Sequence, residues 1–108
     1  MGLLPEYFPG LTGFQWDAGN SEKNKVAHGV TQAETEQVFF NRPVLVMSDV
    51  GHSHVEPRHY VLGRSNAGRR MTIVFTVRGT LVRPIMARDM SRPERHRYLK
   101  EEHGQEAP

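Results

Sequence analysis

Residues 71–77, Met-Thr-Ile-Val-Phe-Thr-Val, are the most constraining stretch of the chain. Met71, Ile73, Phe75 and Val77 recur with the period of two that lines one face of a strand. β-Branched residues of this density lose rotamer freedom in a helix and pack well on a pleated surface, so the run predicts a central β-strand. Arg78-Gly79-Thr80 turns the chain, and residues 81–87, Leu-Val-Arg-Pro-Ile-Met-Ala, return it antiparallel. Pro84 has no N–H for a ladder, which makes the returning strand an edge or gives it a bulge.

A buried hairpin requires further strands and a covering layer of helices. Upstream, residues 44–47 and 58–63 read as strands. Residues 64–69 form a turn in which Gly68 can take a positive φ, and the polar stretch 48–57 is a loop. Residues 13–17 give a short strand carrying Phe14 and Trp16 on one side. A helix follows over 17–29, with Asp17 or Asn20 as cap and Gly29 as stop. A second helix is expected over 30–40, where Thr31 and Glu34 have the capping-box spacing. Ser91 and Pro93 open a C-terminal helix over 91–103. The order β-α-α-β-β-β-β-α predicts an α+β fold. Its sheet is mainly antiparallel with four to five strands, beside two N-terminal helices and one C-terminal helix. Residues 1–12 are expected to be a flexible arm, 13–103 one domain, and 104–108 a frayed tail.

The 108 residues include no cysteine, which rules out disulfides and thiolate chemistry. No apolar run approaches the roughly 20 residues of a membrane helix, and the N-terminus lacks a basic leader, so a cytoplasmic protein is expected. Net charge is only +2, but it is unevenly spread. Residues 1–55 carry three basic side chains against six acidic ones, and residues 56–108 carry eleven against six. Ten of those eleven are arginines between Arg58 and Arg97. Guanidinium groups grip phosphate or carboxylate through paired hydrogen bonds, which points to an anionic partner. The alternative is structural pairing with Glu56, Asp89 and Glu94, acids too few locally to neutralise all ten. By strict alternation Arg78 shares the even-numbered face of strand 71–77. Arg83 and Arg88 share a face only if a bulge near Pro84 shifts the phase between them.

Histidines at 52, 54 and 59 lack a supported set of further ligands, so no metal and no cofactor is expected. No nucleophile elbow or phosphate-binding loop is present.

The motifs Phe-Gln-Trp-Asp (14–17), Asn24-x-x-x-His28-Gly29-Val30, Val-Phe-Phe-Asn-Arg-Pro (38–43) and His-Ser-His-Val-Glu-Pro-Arg (52–58) occur in sequence. They are followed by Leu-Gly-Arg-Ser-Asn-Ala-Gly-Arg (62–69), Val-Phe-Thr-Val-Arg-Gly (74–79), Arg-Pro-Ile-Met-Ala-Arg (83–88) and Pro-Glu-Arg-His-Arg-Tyr (93–98). In order and spacing, over about residues 13–99, the chain resembles the BrnT family of type II toxin–antitoxin toxins, which are similar to RelE-like ribonucleases. The resemblance implies a RelE-like fold and an endoribonuclease that lowers translation by cutting RNA. It also implies silencing by a BrnA-like ribbon-helix-helix antitoxin, through which alone the chain would meet DNA. Arg88 stands at the arginine of the family's Ile-Ser-Ala-Arg. Glu56 and Arg58 match Glu-x-Arg; Glu94, Arg95 and Tyr98 match Glu-Arg-x-x-Tyr; His28 matches Lys-His-Gly. Ala27 and Asn20 stand where the family usually has lysines, Met86 replaces a serine, and Pro84 replaces a β-branched residue.

RNA carries its own nucleophile, the 2′-hydroxyl, so a metal-independent nuclease needs cations for the phosphate and groups to move protons. Arg88, Arg83 and Arg58 are expected to hold the phosphate, while Arg78, Arg69, Arg95 and Tyr98 bind RNA. Glu56, tuned by Arg58, is the candidate base. His28 is a candidate acid or base, unless it merely caps a helix; Tyr98 could instead be packing. Replacing Arg88 is expected to spare the fold. A Pro-bearing edge strand would suit coverage by an acidic antitoxin segment. The competing reading is a basic binding module for RNA or an acidic protein that cleaves nothing.

Overall fold

Alternation of apolar side chains is what organises the sheet. In the computed structural model, which describes residues 3–5, 7–20, 28–48 and 56–106, the elements are β1 (Gly13–Phe14), α1 (Gln32–Val38), β2 (Leu45–Ser48), β3 (Arg58–Arg64), β4 (Arg70–Arg78), β5 (Leu81–Asp89) and α2 (Arg92–Glu106). They form one five-stranded sheet in the order β1-β5-β4-β3-β2. The expected central strand is indeed β4, flanked on both sides. The sheet is mixed rather than purely antiparallel, because β1 pairs parallel with β5 through Gly13↔Leu81 and Phe14↔Val82. That pairing takes β5 off the edge, so of the two outcomes Pro84 allowed, edge or bulge, the strand shows the bulge. Two helices occur among the described residues; the helix expected over 17–29 falls mostly on residues outside them.

The two faces of the sheet are covered differently. The odd-numbered face of β4 buries Met71, Ile73 and Phe75 with Val61, Val82 and Ala87, beneath Val38 and Phe39 of the α1 segment. Leu3, Leu4 and Leu11 complete this core at 3%, 1% and 2% exposure. Residues 3–5 and 7–12, expected as an arm, thus lay three leucines on a sheet face, which removes their apolar surface from water. Leu3 N–H donates to the Leu11 carbonyl, and Thr12 N–H donates to that of Thr80. Trp16 Nε1 donates to Glu36 at 2.8 Å, tying the segment after β1 to α1. The Thr31 hydroxyl caps α1 by accepting from Glu34 N–H, as its spacing predicts. Gly63 lets α1 approach β3: a Cβ there would meet Val38 Cγ1 at 2.7 Å.

The even-numbered face receives α2, whose composition is so polar that few apolar side chains are available to hold it. Glu94, Tyr98 and Glu102 recur at i, i+4, i+8 and so form one stripe against the sheet. Glu94 accepts both guanidinium nitrogens of Arg88, at 2.8 and 3.0 Å, and the Thr72 hydroxyl at 2.9 Å. Tyr98 is fully buried beside Leu62 and Met90. Glu102 takes Arg64 at 2.8 Å and Arg70 at 2.9 Å. The helix is thus fastened by one aromatic ring between two carboxylate anchors. It continues to Glu106 where fraying was expected from 104.

Gly63→Ala should lower stability by about 1–3 kcal/mol through overpacking against Val38, read from denaturant midpoints. Burial pushes the Glu94 pKa up, but Arg88, Ser91 and Thr72 pull it down further, to about 2 from an ordinary 4.5. A carboxylate with a depressed folded pKa stabilises above its unfolded value. Its contribution is therefore full above about pH 4.5 and is lost as pH falls towards about 2. Glu94→Gln should flatten the acid limb of a stability–pH curve in that window, and should cost about 2 kcal/mol at neutral pH.

Candidate functional site

β5 decides which arginines can act together. Register runs Ile73↔Ala87 and Val74↔Met86, then Phe75↔Pro84 and Thr76↔Arg83, so Ile85 is the extra residue of a bulge. Residues directly opposite one another share a face. Arg83 opposite Thr76 and Arg88 opposite Thr72 therefore lie on the same, even-numbered face, the phase shift that alternation alone would have denied them. Arg58 also pairs with Thr76, from β3. The carbonyl of Pro84, turned out at the bulge, accepts from Asn20 Nδ2 at 2.7 Å. Asn20, only 1% exposed, also donates to the Gln15 carbonyl and accepts from Asp17 N–H, which fixes the loop bearing Asp17.

At the Arg78 end of the sheet this face gathers four of the anticipated residues. Arg78 donates to Glu56 from Nη2 at 2.9 Å and from Nε at 3.3 Å. Arg83 holds Asp17 at 3.1 Å. Hydrogen bonding from Arg78, with further attraction from Arg78 and Arg83, keeps the Glu56 carboxyl below its ordinary range. Sequence reasoning had assigned that tuning to Arg58. Arg83 chiefly, with Gln15 and Gly19 N–H, brings the Asp17 carboxyl to about 2. Thr76 Oγ1 is buried without a hydrogen-bond partner among the described residues, close enough to help lower the Glu56 pKa. Tyr60, Val74 and Met86 lie half-buried on the same face, Tyr60 against the Leu62–Met90–Tyr98 cluster. Asp17, Thr76 and Tyr60 were not singled out by sequence reasoning. The Trp-Asp pair was the available signal for the first; nothing marked the other two.

The remaining anticipated residues sit elsewhere. Arg88 lies four residues of β4 away from Arg83, about 13 Å at the usual strand rise. Its grip on Glu94 makes it an anchor of α2 as well as a cation of this face. Arg69 joins Asp89 at 2.7 Å and Glu34 at 3.1 Å, and donates to the carbonyl of His28. His28 thus borders the Arg69 end of β4 while Glu56 borders the Arg78 end, nine residues or roughly 30 Å of strand apart. They cannot serve one reaction centre as acid and base. Arg95 is exposed on α2. Tyr98 is 0% exposed, donates its hydroxyl to the Pro43 carbonyl at 2.6 Å, and has its pKa pushed up to about 12 by burial. A ring so enclosed offers no face to a base; packing is its role. His59 likewise turns inward, edge-on to Phe8 at 5.0 Å. His52 and His54 lie outside the described residues.

Arg69, Arg78, Arg83 and Arg88 each hold a carboxylate. Local acids are few, as the sequence indicated, but Asp17, Glu34 and Glu102 arrive from distant segments. These pairs differ in strength. Arg78–Glu56 is open to solvent, with side-chain exposures of 46% and 34%, and exposed pairs contribute little, about 0–1 kcal/mol. Arg88–Glu94 is more enclosed and further fixed by Thr72 and Ser91.

Tyr98→Phe should destabilise by about 1 kcal/mol, the value of one buried hydrogen bond, and leave RNA binding unchanged in a gel-shift titration.

No helix among the described residues is long and apolar enough to cross a membrane. A search of curated proteins finds no match. The family model described as "Ribonuclease toxin, BrnT, of type II toxin-antitoxin system" matches residues 16–94, a span that holds β2 to β5, α1 and the whole Arg58–Arg78–Arg83–Glu56 group. The chain belongs to the BrnT family of ribonuclease toxins of type II toxin–antitoxin systems.

Proposed function

We propose that this chain is a metal-independent endoribonuclease whose reaction centre is the open half of the even-numbered sheet face, built from Arg58, Arg78, Arg83 and Glu56. The observation that carries the reading is the register that sets Arg58 and Arg83 on either side of Thr76, next to a solvent-open arginine–glutamate pair. An incoming phosphodiester displaces Glu56 from Arg78. The phosphate then meets three guanidinium groups, and the freed carboxylate accepts the proton of the 2′-hydroxyl. The O2′–P bond forms as the P–O5′ bond breaks, leaving a cyclic phosphate, and the departing 5′-oxygen takes a proton from water. Charge accumulating on the phosphorus oxygens is offset by Arg58 and Arg83, held by a rigid strand pair. Asp17 keeps Arg83 oriented, and Tyr60 offers a ring on which a base can stack. Arg88, about 13 Å further along, is assigned to the next stretch of backbone rather than the scissile phosphate.

In this reading the chain inhibits translation in the cytoplasm by removing RNA. It is held in check by a BrnA-like ribbon-helix-helix antitoxin that also carries the complex to DNA. The RelE-like ancestry inferred from the motifs is compatible with an α+β sheet bearing its basic groups on one face.

Arg83→Ala should reduce cleavage of labelled RNA about 10²–10³-fold in chelator, the usual cost of one lost oxyanion-type donor. Glu56→Gln should remove the low-pH limb of the rate profile, which the depressed carboxyl places below pH 4.5. Arrest of growth on induction, relieved by co-expressing the antitoxin, is the cellular counterpart. Parent-like cleavage by Arg83→Ala would remove this site from consideration. Binding without any cleavage by the parent would favour the non-catalytic module.

A further inference from the structure

The outward face of α2 is unexplained by the site above. Its inward stripe is acidic, while Arg92, Arg95, His96, Arg97, Lys100 and His103 are all exposed. At 3.6 residues per turn they cover roughly 200° of the helix, with no acid inside that arc between residues 92 and 103; Glu101 lies at its border. Arg92, Arg95, His96, Lys100 and His103 also line a shallow hollow of about 380 Å³ floored by Leu99. The arrangement works against the helix itself. Arg92 with Arg95, and Arg97 with Lys100, are like charges at i, i+3, and two arginines sit in the first turn where the helix dipole is already positive. A polyanion bound along the face would offset each of these penalties.

We infer that the outer face of α2 is a second nucleic-acid contact, a backbone clamp for single-stranded RNA leaving the reaction centre. Continuity supports RNA over an acidic protein as the occupant. Arg83 and Arg88 lie on one face of β5, and Arg95 is near enough to Asp89 at the end of β5 to influence its charge. A strand held at Arg83 thus passes over Tyr60, Val74 and Met86 to Arg88 and on to the α2 arginines. The face contacts phosphates at no fixed base, so it contributes affinity rather than sequence preference. This inference takes the RNA from the proposed function but does not require cleavage.

The test measures binding of a 2′-O-methyl single strand, which lacks the nucleophile, at several salt concentrations. About 15 nucleotides suffices, the upper range of single-strand site sizes. The triple variant Arg92→Gln, Arg95→Gln, Lys100→Gln should show a log Kd against log salt slope shallower than the parent's by about 2, since each lost phosphate contact removes about 0.7. Because these side chains are exposed, its melting temperature should match the parent's. An unchanged slope, or no binding by the parent, overturns the inference. An unchanged slope together with loss of antitoxin protection on co-expression also overturns it and assigns the face to a protein. Cleavage of ordinary RNA is measured separately. A parent that binds with the expected slope but does not cut defeats the nuclease reading and leaves the clamp standing.

Discussion

One inserted residue in β5 governs how charge is displayed on this protein. Strand alternation sends neighbouring side chains to opposite faces, so Arg83 and Arg88, five positions apart, would ordinarily diverge. Ile85, accommodated opposite no residue of β4, resets the phase. The bulge exposes a carbonyl, and a buried backbone acceptor without a partner is costly. Asn20 supplies that partner, and the same amide side chain holds the loop that carries Asp17 to Arg83. Asn20 and Pro84 are two of the positions at which the chain departs from its family resemblance. They are in direct contact, so each departure makes sense beside the other.

The second organising feature is ionic docking of a helix that has little apolar surface. Hydrophobic stripes usually hold a terminal helix to a sheet. Here Tyr98 is the ring that α2 buries, and Glu94 and Glu102 reach past it to Arg88, Arg64 and Arg70. Half-buried pairs of this type stabilise only when their remaining lone pairs are satisfied, and Glu94 meets that condition through Thr72 and Ser91. The consequence for function is a division among the arginines. Arg64, Arg70 and Arg88 fasten α2, whereas Arg78 and Arg83 pair with Glu56 and Asp17 away from it. Turning its acids inward also leaves α2 with a basic exterior.

How much was legible beforehand follows from the range of each interaction. Strands β2 to β5, the Gly68 turn and the Thr31 cap depend on residues close in sequence, and each emerged near its expected limits. The burial of the N-terminal leucines had no local signal, because prolines and glycines mark irregular backbone, which is compatible with packing on a sheet face. β1 was anticipated as a strand but not as a parallel neighbour of β5, since 67 intervening residues separate Phe14 from Val82 and no local pattern encodes their pairing. Among the site residues, Arg58, Arg78, Arg83 and Glu56 converge. His28, Arg69 and Tyr98 belong to other parts of the fold, because motif membership records family pattern and not proximity.

The sequence by itself determined the hairpin at the centre of the sheet, the concentration of arginine in its second half, and the family to which the motifs point. Those properties rest on side-chain period, fixed charge and residue order, all of them one-dimensional. Only the tertiary structure decided which arginines share a face, which carboxylates reach them from distant segments, and which tyrosine lies enclosed. Those outcomes depend on register and on long-range packing, where displacement by a single residue reverses the direction of every side chain that follows.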